Sequence, residues 1–197
     1  ITGYTGTDTE LVIPSSFTYD GNEIPVKEIK QETFRDNTSI TSVKIPEGVK
    51  SIGQKAFSGC SSLTDVSLPK SLKKIEIDAF EKCPVKGVII ASDLTDGIYA
   101  FDMDSLESVR FAEGVTTVPE RLFYLMENLK TVEFSDTITD IGYNAFGGCT
   151  SLKNIVIPDS VKTIGYGAFE NCKGLESVVI GNGVETIGER AFYGYVR

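Results

Sequence analysis

The residues of this chain that could perform chemistry are four cysteines and 28 acidic residues. Four thiolates can bind zinc, and two neighbouring cysteines can form a disulfide. Cys60 and Cys83 are 23 residues apart, as are Cys149 and Cys172, and Cys149 follows Cys83 by 66 residues. Histidine is absent from the sequence. Its absence excludes Ser-His-Asp and Cys-His catalysis and removes the commonest metal ligand.

A phenylalanine recurs with the same period of 23 residues. Only Phe101 breaks the step, since it lies 21 residues after one member and 22 before the next. The members are Phe34, Phe57, Phe80, Phe101, Phe123, Phe146, Phe169 and Phe192. A period near 23 predicts a solenoid in which each repeat is one coil of a stacked core. All four cysteines then share one repeat position, three residues after the phenylalanine.

The fullest coil runs from Leu152 to Cys172 and reads L-x-x-I-x-I-P-x-x-V-x-x-I-G-x-x-A-F-x-x-C. In its first part apolar residues alternate with others, as in a strand with one buried face. The strand recurs in the same direction in each coil, which predicts that neighbouring strands pair in parallel. Val161 and Ile164 predict a second buried edge. The glycine after this edge suits either a positive φ or close packing between coils. The Ala-Phe pair is expected to fill the core from a short helical turn.

This stacking decides what the cysteines can do. Coils about 4.8 Å apart make Cys60 a neighbour of Cys83 and Cys149 a neighbour of Cys172, and they place the two pairs too far apart to share a metal. The neighbour spacing falls within the disulfide window, but parallel side chains on adjacent strands give a poor disulfide dihedral. We therefore expect buried, reduced thiols, with disulfides or a metal as the alternatives. We expect no cofactor and no catalytic residue.

The coil motif resembles the repeat of the BspA-like, or Treponema-type, leucine-rich repeat family. The resemblance runs from Leu11 to Phe192 in seven or eight coils, and it includes the opening Tyr4-Thr5-Gly6-Thr7 and the stretch Ile13–Ser16. It implies a right-handed leucine-rich-repeat superhelix, mainly parallel β with short 3-10 or α turns. It also implies a secreted or cell-surface bacterial protein that binds other proteins, as adhesins for host matrix proteins do.

We expect a single solenoid over residues 1–197, as a fragment of a longer protein with its signal peptide outside this sequence. Residues 1–39 form the first coil, with an insertion at Thr18–Ile24 whose Asp20-Gly21 predicts a hairpin turn. Residues 81–111 form irregular coils: Pro84 crowds Cys83 against Val85, and Asp104 replaces the cysteine of a coil that has lost residues. In the coil that follows, Leu122 and Met126 replace the alanine and the cysteine.

Composition limits the partners. The net charge is −9 and the pI is about 4.6, which argues against nucleic acid and anionic membranes as ligands. No apolar run approaches about 20 residues, so direct membrane insertion is not expected.

The position between the two buried residues of each strand should point outward. These residues form the candidate protein-binding face, Lys44, Ser67, Ile89, Arg110, Glu133, Val156 and Val179. A glycosidase needs two converging carboxylates, and this column contains no acid pair, so enzyme activity is not expected. Arg110 and Glu133 predict a cross-strand ion pair.

Three further features have two interpretations each. Val156 and Val179 form an apolar strip that is either ordinary strand propensity or a contact surface. Asp93, Asp96, Asp102 and Asp104 are either solvated acids or calcium ligands. Tyr143 and Tyr166 share one repeat position and serve either internal packing or contact with a partner.

The favoured function is adhesion to a protein ligand through the strand face. The alternatives are a stalk or spacer without its own ligand and, less favoured, a carbohydrate-binding or carbohydrate-active protein.

Overall fold

The computed structural model describes Tyr4 and residues 6–195; Thr5 and the extreme ends of the predicted 1–197 solenoid lie outside the described residues. The chain is a β-solenoid of about seven turns with a spacing of about 23 residues. Its strands are β1 Glu10–Val12, β2 Ser16–Tyr19, β3 Asn22–Pro25, β4 Glu28–Ile29, β5 Ser42–Lys44, β6 Ser51–Ile52, β7 Asp65–Ser67, β8 Lys74–Ile75, β9 Gly87–Ile90, β10 Ser108–Phe111, β11 Thr117–Val118, β12 Thr131–Glu133, β13 Asp140–Ile141, β14 Asn154–Ile157, β15 Thr163–Ile164, β16 Ser177–Ile180 and β17 Thr186–Ile187.

Two faces of the solenoid are built from parallel strands, as the alternation predicts. The first face, which we call the strand face, contains the sheets β1-β5-β7, β9-β10-β12 and β14-β16. The second face contains the two-residue strands, in the sheets β4-β6-β8 and β11-β13-β15-β17. Val43 pairs with Val66 on the first face, and Ile141 pairs with Ile164 on the second. Equivalent repeat positions therefore stack directly on one another.

The insertion in the first coil is the predicted hairpin. Strands β2 and β3 pair antiparallel, with Phe17 opposite Ile24. Asp20 and Gly21 form the connection with φ angles of 49° and 73°. Positive φ at both central residues is the geometry that a two-residue hairpin loop requires.

A continuous stack of the recurring phenylalanines fills the core. Phe57 lies 4.8 Å from Phe34 and 5.1 Å from Phe80, measured between ring centroids, with nearly parallel rings. The stack continues to Phe192, and its widest gap, 6.4 Å, lies between Phe101 and Phe123. That gap falls where the coils are irregular, because shortened repeats move the ring out of line.

The segment around each Ala-Phe pair is not helical, so the prediction of short 3-10 or α turns is wrong for the described residues. The N–H of Phe57 donates to Ala79 O in the next coil at 2.8 Å, whereas the N–H of Cys60 donates to Phe57 O within its own coil at 3.1 Å. Lys55 and Gly59, two residues either side of the ring, have φ angles of 55° and 76°. Left-handed residues at this spacing interrupt a helix and turn every second N–H toward the neighbouring coil.

The glycine after the second strand is required for close packing between coils. A Cβ on Gly165 would lie 2.8 Å from the carbonyl carbon of Gly142 and 2.9 Å from Ile141 O, closer than real Cβ atoms approach backbone. The φ angle of Gly165 is not in the left-handed region. Of the two reasons that the sequence offered for this glycine, the packing of adjacent coils is therefore the one that applies.

The irregular segment 81–111 interrupts the second face. Between β8 and β11, one coil contributes only an isolated bridge, from Lys74 to Asp96. In the following coil Leu122 and Met126 are fully buried, so these larger side chains occupy the alanine and cysteine positions of the core.

Candidate protein-binding face

All seven residues of the predicted face are exposed on the strand face. Within each of the three sheets of this face they stand in register, since Lys44 pairs with Ser67, Arg110 pairs with Ile89 and Glu133, and Val156 pairs with Val179. The pleat points each of them outward because the preceding residue of each strand packs into or against the core. The structure thus brings the predicted column together, while the binding role of the column stays a prediction.

Val156 and Val179 are the most exposed apolar pair of this column. Their exposed fractions are 61% and 52%, and they are direct cross-strand partners of β14 and β16. A shallow, open depression runs over both side chains, and Asp136, Asp159 and Asn182 form part of its wall. An apolar strip with an acidic rim can contact a partner surface that is apolar at its centre and basic at its edge.

Arg110 and Glu133 do not form the predicted ion pair. They are register partners in β10 and β12, but no ion pair joins them among the residues that the structure describes. Glu107 instead bridges the adjacent coils, with Lys86 at 3.1 Å and Lys130 at 2.7 Å. Hydrogen bonds from Lys130 and Lys86 lower the pKa of the Glu107 carboxyl. Lys86, Glu107 and Lys130 directly precede strands β9, β10 and β12. Their ion pairs therefore do not involve Arg110 or Glu133, which stay available to a partner.

Sequence reasoning missed one member of the column. Val12 in β1 pairs with Lys44 and is 67% exposed. Its buried neighbours Leu11 and Ile13 give the same alternation as the later coils. The signal was therefore present in the sequence, in the coil that precedes the regular spacing.

Two of the four aspartates of the irregular segment, Asp93 and Asp102, accept backbone hydrogen bonds, and the four do not form a metal site. Asp93 accepts hydrogen bonds from the Thr116 and Thr117 N–H groups at 2.7 and 3.1 Å. Burial alone would raise the pKa of Asp93, but these bonds outweigh it and lower the pKa. Asp102 accepts hydrogen bonds from its own loop, and Asp96 faces Lys74 at 3.6 Å. Among the described residues no group of three acids or cysteines is placed to hold a metal ion.

The four cysteines are buried, and each thiol has the same partner. Cys60, Cys83, Cys149 and Cys172 donate to the carbonyl of the phenylalanine 26 residues earlier, at 3.0 to 3.2 Å. A hydrogen bond with Cys60 and burial raise the pKa of the Cys83 thiol, and burial raises that of Cys149. Fully buried thiols that donate to the preceding coil are structural groups, because a reactive or metal-binding cysteine needs an accessible thiolate.

A second surface lies on the turns that flank the phenylalanine stack. Tyr143 and Tyr166 stack there as expected, with ring centroids 5.5 Å apart and planes 16° apart. The Arg121 guanidinium covers Tyr143 at 4.8 Å, and Tyr124 lies 6.3 Å from Tyr99. Sequence reasoning singled out only the first two residues. The others occupy fixed positions two residues before, or one residue after, the recurring phenylalanine, and the period could have found them.

Two left-handed positions on these turns hold unusual residues. Tyr99 has a φ angle of 52° and Leu125 one of 62°. The left-handed conformation costs a non-glycine residue roughly 1–2 kcal/mol, and asparagine or aspartate tolerates it best. The other left-handed residues at these two repeat positions are glycine or polar, such as Gly148, Gly167 and Asn171.

In the part of the chain described, no helix has the length and apolar character needed to cross a lipid bilayer.

Comparison with known proteins identifies the repeat. The model of the BspA type leucine rich repeat region, which contains six copies, matches residues 27–151 and 96–196. No curated protein sequence is significantly similar to the chain.

Three solved structures show the same fold. A leucine rich repeat protein of T. pallidum is 29% identical with a TM-score of 0.61, over 98% of this chain and 79% of that one. A leucine rich cell surface protein of Faecalibacterium prausnitzii is 32% identical with a TM-score of 0.64, over 90% of this chain and 48% of that one. A Bacteroides ovatus leucine-rich repeat protein is 22% identical with a TM-score of 0.52, over 95% and 85% of the two chains, and it shows the fold alone.

This chain spans about half the length of the F. prausnitzii protein. Leucine-rich repeat domains are a non-catalytic repeat fold and generally serve as protein-interaction modules. The family model covers most of the chain, and the coils, strands and stacked phenylalanines have the geometry that its repeat demands. The chain therefore belongs to the BspA-type leucine-rich repeat family.

Proposed function

We propose that this chain is a non-catalytic protein-binding module of a secreted or cell-surface bacterial protein, and that it adheres to a host or matrix protein through the strand face. One observation carries the proposal. The outward column of this face is in register and exposed, yet it changes from coil to coil between apolar, polar, basic and acidic residues. The buried positions of the same strands remain apolar. Specificity can be encoded in a surface that varies on a scaffold that repeats.

The shape of the face favours a protein ligand. Its depressions are shallow and open, including the one over Val156 and Val179. Small-molecule sites are concave and bury most of their ligand. A face that extends over several coils can instead contribute the broad contact area of a protein interface.

The similarity to a cell-surface protein of F. prausnitzii, at 32% identity, supports a surface or secreted location. The lack of an acid pair in the column supports a non-catalytic role. The alternative of a stalk or spacer requires no variation on the strand face, and the variation of this column disfavours it.

Direct binding to purified matrix proteins tests the proposal. Immobilised fibronectin, laminin and collagen serve as probes, and binding is measured by biolayer interferometry. The double variant Val156→Lys with Val179→Lys should weaken binding at least tenfold. Its fold should persist, because exposed substitutions usually change stability by less than about 0.5 kcal/mol each.

A matched control carries the same two charges on another surface. Ile77 and Met103 are each 44% exposed and lie outside the strand face. Ile77→Lys with Met103→Lys should bind as the wild type does. Full binding by a folded Val156/Val179 variant would refute the strand face as the site. Failure of the wild type to bind any probe would favour the spacer.

A further inference from the structure

A cluster of aromatic and basic side chains lies on the turns, away from the strand face. It comprises Tyr99, Arg121, Tyr124, Leu125, Tyr143 and Tyr166, and we call it the tyrosine–arginine patch. Leu125, Tyr143 and Tyr166 are 38%, 38% and 36% exposed. The sequence has only eight tyrosines, and four of them meet here. Tyrosine and arginine are enriched among the residues that dominate the energy of protein interfaces.

The patch is held rigidly by the coils beneath it. A Cβ on Gly147 would meet the Tyr124 ring at 3.1 Å, and one on Gly148 would meet Leu125 Cδ2 at 2.6 Å. The side chains of one coil therefore lie across a glycine pair of the next. Rigid aromatic groups lose little conformational entropy on binding, which favours their use as anchors.

Arg121 lacks the ion partner that its counterpart has. Arg190 occupies the same repeat position and pairs with Glu170 of the preceding coil at 2.6 Å. The residue equivalent to Glu170 in the coil before Arg121 is Asp102. That carboxylate instead accepts hydrogen bonds from the Lys82 N–H at 2.8 Å and from its own loop. Among the described residues, Arg121 forms no ion pair.

Leu125 is placed at a conformational cost. Its φ angle of 62° lies in the left-handed region, as do those of the equivalent residues Gly148 and Asn171 in the two following coils, whereas the equivalent Met103 of the preceding coil has no positive φ. The side chain nevertheless remains 38% exposed, so burial in the core does not account for it. A residue that violates a local preference without a compensating core contact is a sign of function.

The stacking around Tyr143 disfavours nucleobases as ligands of this ring. One face of the Tyr143 ring is covered by Arg121 and the other by Tyr166, so this ring offers edges and a hydroxyl rather than an open stacking platform. Nucleobases bind by stacking on such a platform. The net charge of −9 further disfavours nucleic acid.

We propose that the tyrosine–arginine patch binds a protein segment in which a carboxylate side chain lies next to an apolar one. The carboxylate pairs with Arg121, whose planar fork suits bidentate recognition. The apolar side chain packs on Tyr124 and Leu125. This second binding surface is separate from the strand face and does not depend on it.

Selection from a phage-displayed library of random linear peptides tests the proposal. Peptides that bind the wild-type chain should be enriched in Asp or Glu adjacent to Leu, Phe or Tyr. The most enriched peptide, made synthetically, is then titrated by calorimetry. Arg121→Gln should weaken its binding about tenfold or more, the loss typical of one charged hydrogen-bond partner. Arg35→Gln is the matched control and should stay within about twofold, because Arg35 lies on the same side four coils away and pairs with Glu32.

Leu125→Gly separates binding from stability. It should weaken binding about fivefold, while the melting temperature stays within about 2 °C of the wild type or rises, because glycine relieves the left-handed residue. Peptides without acidic enrichment, or binding unchanged by Arg121→Gln, would refute the proposal. Binding of glycans from an array in a manner lost with Arg121→Gln would also refute it in favour of a carbohydrate ligand.

Discussion

Truncation of one central ring of the phenylalanine stack should destabilise the whole solenoid. Phe146 is fully buried and stacks on Phe123 at 5.5 Å and on Phe169 at 5.3 Å, and the edge of Phe134 meets it at 5.9 Å. Burial of a phenylalanine removes roughly 150–250 Å² from water at about 25 cal/mol per Å². Phe146→Ala should therefore lower the free energy of unfolding by about 3–5 kcal/mol, the range measured for buried aromatic residues.

Urea and thermal unfolding measure this loss. A decrease of 1 kcal/mol lowers the melting temperature of a chain of this size by roughly 2–4 °C, so we expect a decrease of about 6–20 °C. Truncation of a ring at the end of the stack should cause a smaller loss of stability. Phe192 occupies the same repeat position but is only partly buried, and within the stack Phe169 is its neighbour at 5.3 Å.

Phe192→Ala is therefore the matched control, since it removes the same atoms from a less buried ring. If Phe146→Ala cost no more than Phe192→Ala, the ring stack would not be what holds adjacent coils together. Nearest-neighbour coupling between coils predicts the larger loss at the centre, where two interfaces are broken rather than one.

Two further predictions concern the groups that bind one coil to the next. Titration of the unfolded, unreduced protein should count four thiols, and iodoacetamide should label the native protein slowly at pH 8, since all four thiols are fully buried. A count of zero or two, or rapid native labelling, would contradict this. Asp93→Ala should cost about 1 kcal/mol at pH 7, as the loss of a helix-capping acceptor does. Because the folded pKa of Asp93 is lowered, its stabilisation is fully present above the unfolded value of about 3.9 and is lost as the pH falls through the folded value. The difference between wild type and variant in urea unfolding should therefore shrink as the pH is lowered and disappear below the folded pKa.

Periodicity was sufficient to predict the solenoid and the outward column. A residue that recurs every 23 positions between buried neighbours can only stack on itself, and Val156 therefore meets Val179. The same argument predicted that Cys60 and Cys83 would be buried neighbours, and it predicted the hairpin from Asp20-Gly21.

The repeat pattern could not predict the backbone conformation of the turns. The Ala-Phe segment has the local sequence of a helical turn, but positive φ angles at residues such as Lys55 direct alternate N–H groups to the neighbouring coil. These bonds exist only when a second coil is present, so no local preference reveals them. The glycine after the second strand is of the same kind, because only the stacked structure shows that a Cβ on Gly165 would collide with Gly142.

The surface features also divide into those that the sequence determined and those that only the tertiary structure decided. The sequence by itself determined which residues share a repeat position, and hence which side chains lie side by side along the strand face. The tertiary structure decided how charges are distributed among partners: Glu107 bridges two lysines and Glu170 pairs with Arg190, whereas Arg121 forms no ion pair within the described part of the chain. The reason is physical. Stacking fixes the backbone spacing between equivalent residues, whereas the direction of a long side chain depends on every neighbour that competes for it.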